Sequence, residues 1–291
     1  MKRWLLGLCC LGLSCAALAV GPDAVRKRVQ ASMLVTGTIE VAPDGSVAQY
    51  AIDHSEKLPP EVTGLLAKAL PAWEFEPVMT DGKPVTAKAQ MNLRIVAKPL
   101  GDGNFSISVA GVSFGSSGGN SNGHSNRDGV SGGSITERRI VLPIYSRDAS
   151  DRGVAGTVYV LVKVGRDGEV VDALAEQVNL RVIASDSQLA VGRRLLADAA
   201  LRAIKRWTFN PPTTGNAAKQ PYWLARIPVE FSSRAVEKER YGQWRPYVPG
   251  PVQEAPWAGK QMLAGSADTV PDGGFLLANS SLHLRTSLDG S

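Results

Sequence analysis

One short pattern occurs twice in this chain, and it limits the fold more than any other feature. Trp73-Glu74-Phe75-Glu76-Pro77 and Trp207-Thr208-Phe209-Asn210-Pro211 each close an apolar segment of helical period. Upstream of each copy lies a strand, an Asp-Gly turn and a second strand. Downstream lies an alternating strand. The turns, Asp44-Gly45 and Asp167-Gly168, are 123 residues apart, whereas the Trp-x-Phe-x-Pro motifs are 134 apart. The second copy therefore carries 11 extra residues, expected within 176–187, between turn and helix. A repeat of this length predicts two small domains of one type rather than one large core.

The first copy reads as an irregular lead-in over 20–33, then a strand in which Val35, Gly37, Ile39 and Val41 alternate with polar residues. After the turn, Val47 to Ile52 returns. Pro59 and Pro60 suit a helix start, where a missing N–H costs nothing. Val62, Leu65, Leu66, Ala69, Leu70 and Trp73 follow at helical spacing, and Pro71 bends or ends the helix. In the next strand, Val85, Ala87, Ala89, Met91, Leu93 and Ile95 share one face, and Thr86 to Arg94 are expected on a wet one. A further strand is expected over Phe105 to Phe114.

The second copy repeats the order. Val158, Val160, Val162 and Val164 alternate with Thr157, Tyr159, Leu161 and Lys163, and Val170 to Ala175 returns. A helix is expected from about Gln188 to Trp207. In the last strand Trp223, Ala225, Ile227, Val229 and Phe231 point inward, and Tyr222, Leu224, Arg226, Pro228 and Glu230 outward. Pro228 places this strand at a sheet edge, because proline cannot donate to a ladder.

The remaining stretches set the boundaries. Lys2 and Arg3, the apolar run Trp4 to Leu18 and Ala17-Leu18-Ala19 form a signal-peptide pattern over 1–19. A cleaved leader predicts a periplasmic chain starting at Val20; an uncleaved segment would anchor it to the inner membrane. Cys9, Cys10 and Cys15 all fall in this segment, so cleavage leaves no disulfide and no thiol chemistry. Gly12 stands where a lipobox ending at Cys15 needs a large apolar residue. Residues 115–134 are Gly, Ser and Asn almost throughout, a linker composition. Their Gly115-Ser116-Ser117-Gly118-Gly119 lacks the following helix of a nucleophile elbow. The expected organisation is 1–19 leader, 20–114 first domain, 115–134 linker, 135–235 second domain and 236–291 tail. The tail has no sustained period. Its interleaved Pro246, Trp244, Pro251, Pro256 and Trp257 suit an extended segment packed on the second domain or on a partner. Phe275 to Leu288 could close a weak hairpin.

The second copy resembles the TonB C-terminal domain family in Pro143-Ile144-Tyr145, Ala149, Gly153, Gly156-Thr157-Val158, Val164, Asp167-Gly168, Ala199-Ala200-Leu201, Trp207 to Pro211 and Pro228-Val229. The first copy, with Asp44-Gly45, Trp73 to Pro77 and Gly82-Lys83-Pro84-Val85, resembles a diverged second member. The family motif usually reads Tyr-Pro where this chain has Tyr145-Ser146. The resemblance implies an α+β fold, each domain a three- to four-stranded antiparallel sheet packed on one helix. It also implies a periplasmic site and binding of an extended outer-membrane receptor segment as an added strand.

Chemistry offers little competition. His54, His124 and His283 have no metal-ligand spacing with carboxylates, and no motif positions a catalytic group, so the reading is a non-enzyme without cofactor or small-molecule substrate. Without Lys2 and Arg3 there are 30 basic and 27 acidic residues, and a net charge of +3 is weak for nucleic acid. The expected partners are envelope proteins, outer-membrane receptors among them. The expected contact residues are Tyr145, Tyr159, Leu161, Tyr222, Leu224 and Arg226, because two neighbouring apolar pairs exceed what a solvated face needs. Two alternatives stand beside this: the tail covers that face in the same molecule, or the chain is a structural or assembly factor of the envelope that transduces no energy.

Overall fold

The computed structural model describes residues 29–101, 103–115, 117–118, 135–215, 217–232, 241–258, 266–271, 275–277 and 282–288. The expected leader and most of the Gly/Ser linker lie outside these residues.

In chain order the elements are β1 (Gln30–Val41), β2 (Val47–Ile52), α1 (Pro60–Ala69), β3 (Met79–Thr80), β4 (Lys83–Pro84), β5 (Ala87–Gly101), β6 (Asn104–Phe114) and β7 (Ser117–Gly118). They continue with β8 (Thr136–Arg139), α2 (Arg147–Asp151), β9 (Gly156–Val164), β10 (Val170–Leu180), α3 (Asp186–Ile204), β11 (Thr208–Asn210), β12 (Trp223–Phe231), β13 (Arg245–Tyr247) and β14 (Phe275–Leu277). The fold is α+β. One antiparallel sheet runs β13-β1-β5-β6 with β2 also on β1, and the other runs β10-β9-β12-β14-β7. Each sheet has the strands its own copy supplies plus one from the tail, β13 or β14, and the second also has β7 from the Gly/Ser stretch, paired with β14.

The first core packs α1 on its sheet. Val62 and Leu66 are the buried stripe of the helix. Pro71 ends it as its ring requires: the α-helix stops at Ala69 and Leu70–Ala72 tighten into a 3₁₀ turn that buries Leu70. Trp73 and Phe75 then pack edge-on against Phe114 from β6. In the second core, Ser185 and Gln188 close a capping box at the start of α3. Leu189, Leu196, Ala199, Ala200, Ala203 and Ile204 bury its inner face. Trp207 is fixed by its Nε1–H donating to the Val141 carbonyl at 2.8 Å.

Several expectations need correction. The lead-in ends earlier than expected, because β1 begins at Gln30 and its first residues pair with β13 of the tail. The returning strand of the second copy runs on to Leu180, so part of the expected insertion lengthens β10, and its last two residues, Asp186 and Ser187, already begin α3. The outer face of β5 is not wet throughout. Asn92 and Arg94 are buried there, because residues 266–270 lie across it and the Asp268 carbonyl accepts from Arg94 Nε at 2.7 Å. Residues 275–288 form no hairpin among the described residues: β14 pairs with β12 and β7, and Leu284 bridges to Phe75.

The tail packs on both domains, not on the second alone. Tyr241 and Trp244 join the first core. Val248 exchanges backbone hydrogen bonds with Leu180 at 2.8 and 3.1 Å and enters the second core. Ala255 and Ala258 stay with the second domain. Thr269 and Val270 are fully buried beside the first. Phe275–Leu277 return to β12, and Leu282 ends inside the first core. No helix among the described residues is long and apolar enough to cross a membrane.

Candidate functional site

β9 and β12 lie side by side with Leu161 opposite Arg226 and Leu224 opposite Lys163. The period-2 reading of their faces is correct: the valines of β9 and the odd residues of β12 enter the second core, and Leu161 and Leu224 do not. What covers that other face differs from a solvated one. Leu161 is 0 % exposed, Leu224 1 % and Arg226 2 %. Leu161 and Leu224 form a small third core with Leu174 and Tyr222, roofed by Ala255, Trp257 and Ala258 of the tail. Of the two arrangements weighed for this face, the structure has the tail covering it.

Arg226 explains how a charge is tolerated under that roof. Its Nε and Nη2 donate to Glu176 Oε2 and Oε1, both at 2.8 Å. This planar fork crosses β9 from β12 to β10, with both side chains almost wholly buried. Glu176 occupies an irregularity in the β9–β10 ladder, between Ala175 and Gln177. Such an extra residue re-aims its side chain, here toward Arg226. The carbonyl of Glu176 also accepts from Gln253 N–H at 2.7 Å, which ties the tail to the ion pair. At the open end of the face, Lys163 Nζ sits 4.2 Å over the Tyr222 ring.

The edge of β12 is also occupied in part. β14 pairs antiparallel with it at Ala225↔Leu277 and Arg226↔Leu276. β12 is therefore not the outermost strand there, although Pro228 lies beyond this pairing, where a missing N–H breaks no bond. Tyr159 is buried too, and borders a cavity between the domains rather than the Leu161 cluster.

Tyr145 does not join the Leu161 cluster either. Its ring packs 5.8 Å from that of Phe231, an inward residue of β12, and its hydroxyl donates to the Val154 carbonyl. Burial raises its phenol above the ordinary value. The serine that follows it has a local reason. Ser146 caps α2 by accepting from Ala149 N–H at 3.2 Å.

The sequence reading missed Glu176 and the pairing of β14 with β12. Glu176 sits in the stretch assigned to the insertion, and β14 has neither alternation nor length to mark it. Among the described residues no group of His, Cys, Asp and Glu could hold a metal ion. No curated protein and no solved structure matches the chain. Residues 141–233, just under a third of the chain, match the family model described as Gram-negative bacterial TonB protein C-terminal, and the domain they form, built on β9, β10, α3 and β12, is a TonB C-terminal domain.

Proposed function

We propose that this chain is a periplasmic protein-binding module whose TonB C-terminal domain takes up an extended segment of an envelope protein, an outer-membrane receptor being the favoured class, by strand addition. The observation that carries the reading is the edge of β12, which already accepts an added antiparallel strand at Ala225 and Arg226. The family match supports a role in protein interaction in the envelope. In this reading the tail stands in for the partner. Residues 255–258 and 275–277 must move aside before Leu161, Tyr222, Leu224 and Arg226 can touch another chain, and Tyr159 further requires 245–247 and 268 to leave the cavity it borders. Tyr145 remains a core residue.

A second reading draws on the same tail. A chain that roofs its own outer face and threads between its own domains suits a structural or assembly factor, with β14 as a permanent strand. Locking the tail separates the two. Ala225→Cys with Leu277→Cys joins register partners across β12 and β14. Receptor segments from envelope fractions should be captured by the full chain when reduced and lost when oxidised. Capture that ignores oxidation places the partner elsewhere on the chain, and no capture in either state favours the structural role.

A further inference from the structure

A cavity of about 40 Å³ lies where the two domains and the tail meet. Its wall includes Arg94 from β5 of the first sheet, Arg181 just after β10 of the second and Arg245 from β13 of the tail. Tyr159, Thr157 and Asn179 add hydroxyl and amide groups. Three guanidinium groups rarely converge by chance, because each is strongly cationic at any physiological pH and repels the others. Two carboxylates stand near them. Glu230 Oε1 lies 2.9 Å from Arg181 Nη2 and 3.5 Å from Arg245 Nη2, so one acid serves two cations. Asp268 borders the cavity as well; its carboxylate accepts from Ser266 Oγ at 2.9 Å, and its backbone carbonyl accepts from Arg94 Nε at 2.7 Å.

A single water needs about 10–15 Å³ of such space, so the cavity has room for a group of several heavy atoms. Its chemistry is donor-rich, and guanidinium forks match the oxygens of a tetrahedral oxyanion. We propose that this cavity is a binding site for a small phosphate-class oxyanion, held by Arg94, Arg181 and Arg245. Each arginine comes from a different part of the chain, so the site is complete only when both domains and the tail are docked. Binding of the anion and docking of the tail are thereby linked, each favouring the other.

The test uses the full mature chain and inorganic phosphate. Titration followed by nitrogen–proton correlation of the arginine Nε–Hε groups should shift three resonances together, those lost or displaced in single Arg→Lys variants at 94, 181 and 245. Calorimetry should show Arg245→Gln binding about tenfold more weakly or worse, the loss of one charge-assisted contact. Arg166→Gln, on an exposed arginine that donates to the Gln220 carbonyl, should bind as the parent does. Phosphate should also raise Tm, since it binds only the folded form. The resonance titration stands even where a variant fails to fold. Phosphate that moves none of the three resonances leaves the cavity to water and overturns the site. An equal loss in Arg166→Gln, or binding to phosphatidylglycerol vesicles without binding of free phosphate, makes the effect one of the outer surface and overturns it as well.

Discussion

Phe209 donates its backbone N–H to the carbonyl of Gly168 at 2.8 Å, and Phe75 makes the same bond to Gly45 at the same length in the other domain. The two most conspicuous repeated motifs of the sequence, Asp-Gly and Trp-x-Phe-x-Pro, thus touch each other in both copies. Gly168 has φ +82 and Gly45 has φ +90, and a Cβ on either would collide with the carbonyl of the phenylalanine it binds. Gly82 is the natural control, with φ +75 but open space around it. Gly168→Ala should therefore cost more than Gly82→Ala, which carries only the left-handed backbone term of about 1–2 kcal/mol. Urea unfolding of the two variants and the parent checks the order. Equal costs would mean that the close approach at Gly168 relaxes without penalty.

The turn–motif contact also shows what the sequence makes legible. Spacing along the chain locates turns, helix ends and the faces of strands, because each depends on neighbours a few residues away. Val47–Ile52 and the strand ending at Phe114 were readable for that reason. What lies on top of a face is not local. Leu161 and Leu224 read correctly as residues off the main core, but their roof at 255–258 is separated from β9 by more than the whole length of α3 and has no period of its own. Arg94 alternates as a solvent-facing residue would, and is buried by a carbonyl far along the chain at Asp268. Tyr145 is a candidate contact residue that also belongs to a recognisable motif, and its ring packs against Phe231 beside α2.

The ion pair under the tail should behave as a unit. Glu176→Gln removes the charge that compensates Arg226 in a site where both side chains are almost wholly buried. Breaking one partner of such a pair costs about 3–5 kcal/mol, mostly from the charge left buried. Replacing both, as Glu176→Leu with Arg226→Met, should recover much of the loss, because an apolar pair has no desolvation to offset. A double-mutant cycle on denaturant midpoints measures the coupling. Additive single and double effects would show that the two side chains contribute independently.

Tyr247 predicts an alkaline limit to stability. Its phenol is pushed above the ordinary tyrosine value by burial, then by the Asp268 carboxylate, with Arg94 opposing. A group whose folded pKa is raised contributes stability that is complete below its unfolded pKa and is lost as pH rises toward the folded one. The unfolded phenol titrates near about pH 10, so the loss should begin there and grow at higher pH. Tyr247→Phe should flatten that part of the profile, at the cost of the hydroxyl contact with Gln30 Oε1 at 3.2 Å. Chemical unfolding at a series of alkaline pH values tests it. An unchanged slope in Tyr247→Phe would assign the alkaline loss to other groups.

The tail should contribute to the stability of the first domain although it follows the second in sequence. Leu282 is almost wholly buried in the first core, and Leu284 pairs with Phe75 beside it. Glu76 N–H donates to the His283 carbonyl at 2.9 Å, and Arg285 N–H to the Glu74 carbonyl at 2.8 Å. The strand-like run 283–285 is thus stitched to the Trp-x-Phe-x-Pro motif of the first copy. Leu282→Ala leaves a cavity that such contacts only partly close, and truncations of this kind cost about 2–5 kcal/mol. Amide hydrogen exchange resolves where the loss falls. Protection should drop in α1, β1 and β5 and hold in α3 and β9, because Leu282 belongs to the first core and not to the second. Val248→Ala, in the same tail, should give the reverse pattern, since Val248 is a member of the second core. If Leu282→Ala leaves the exchange of α1 unchanged, the first domain holds its core without the tail and folds on its own strands.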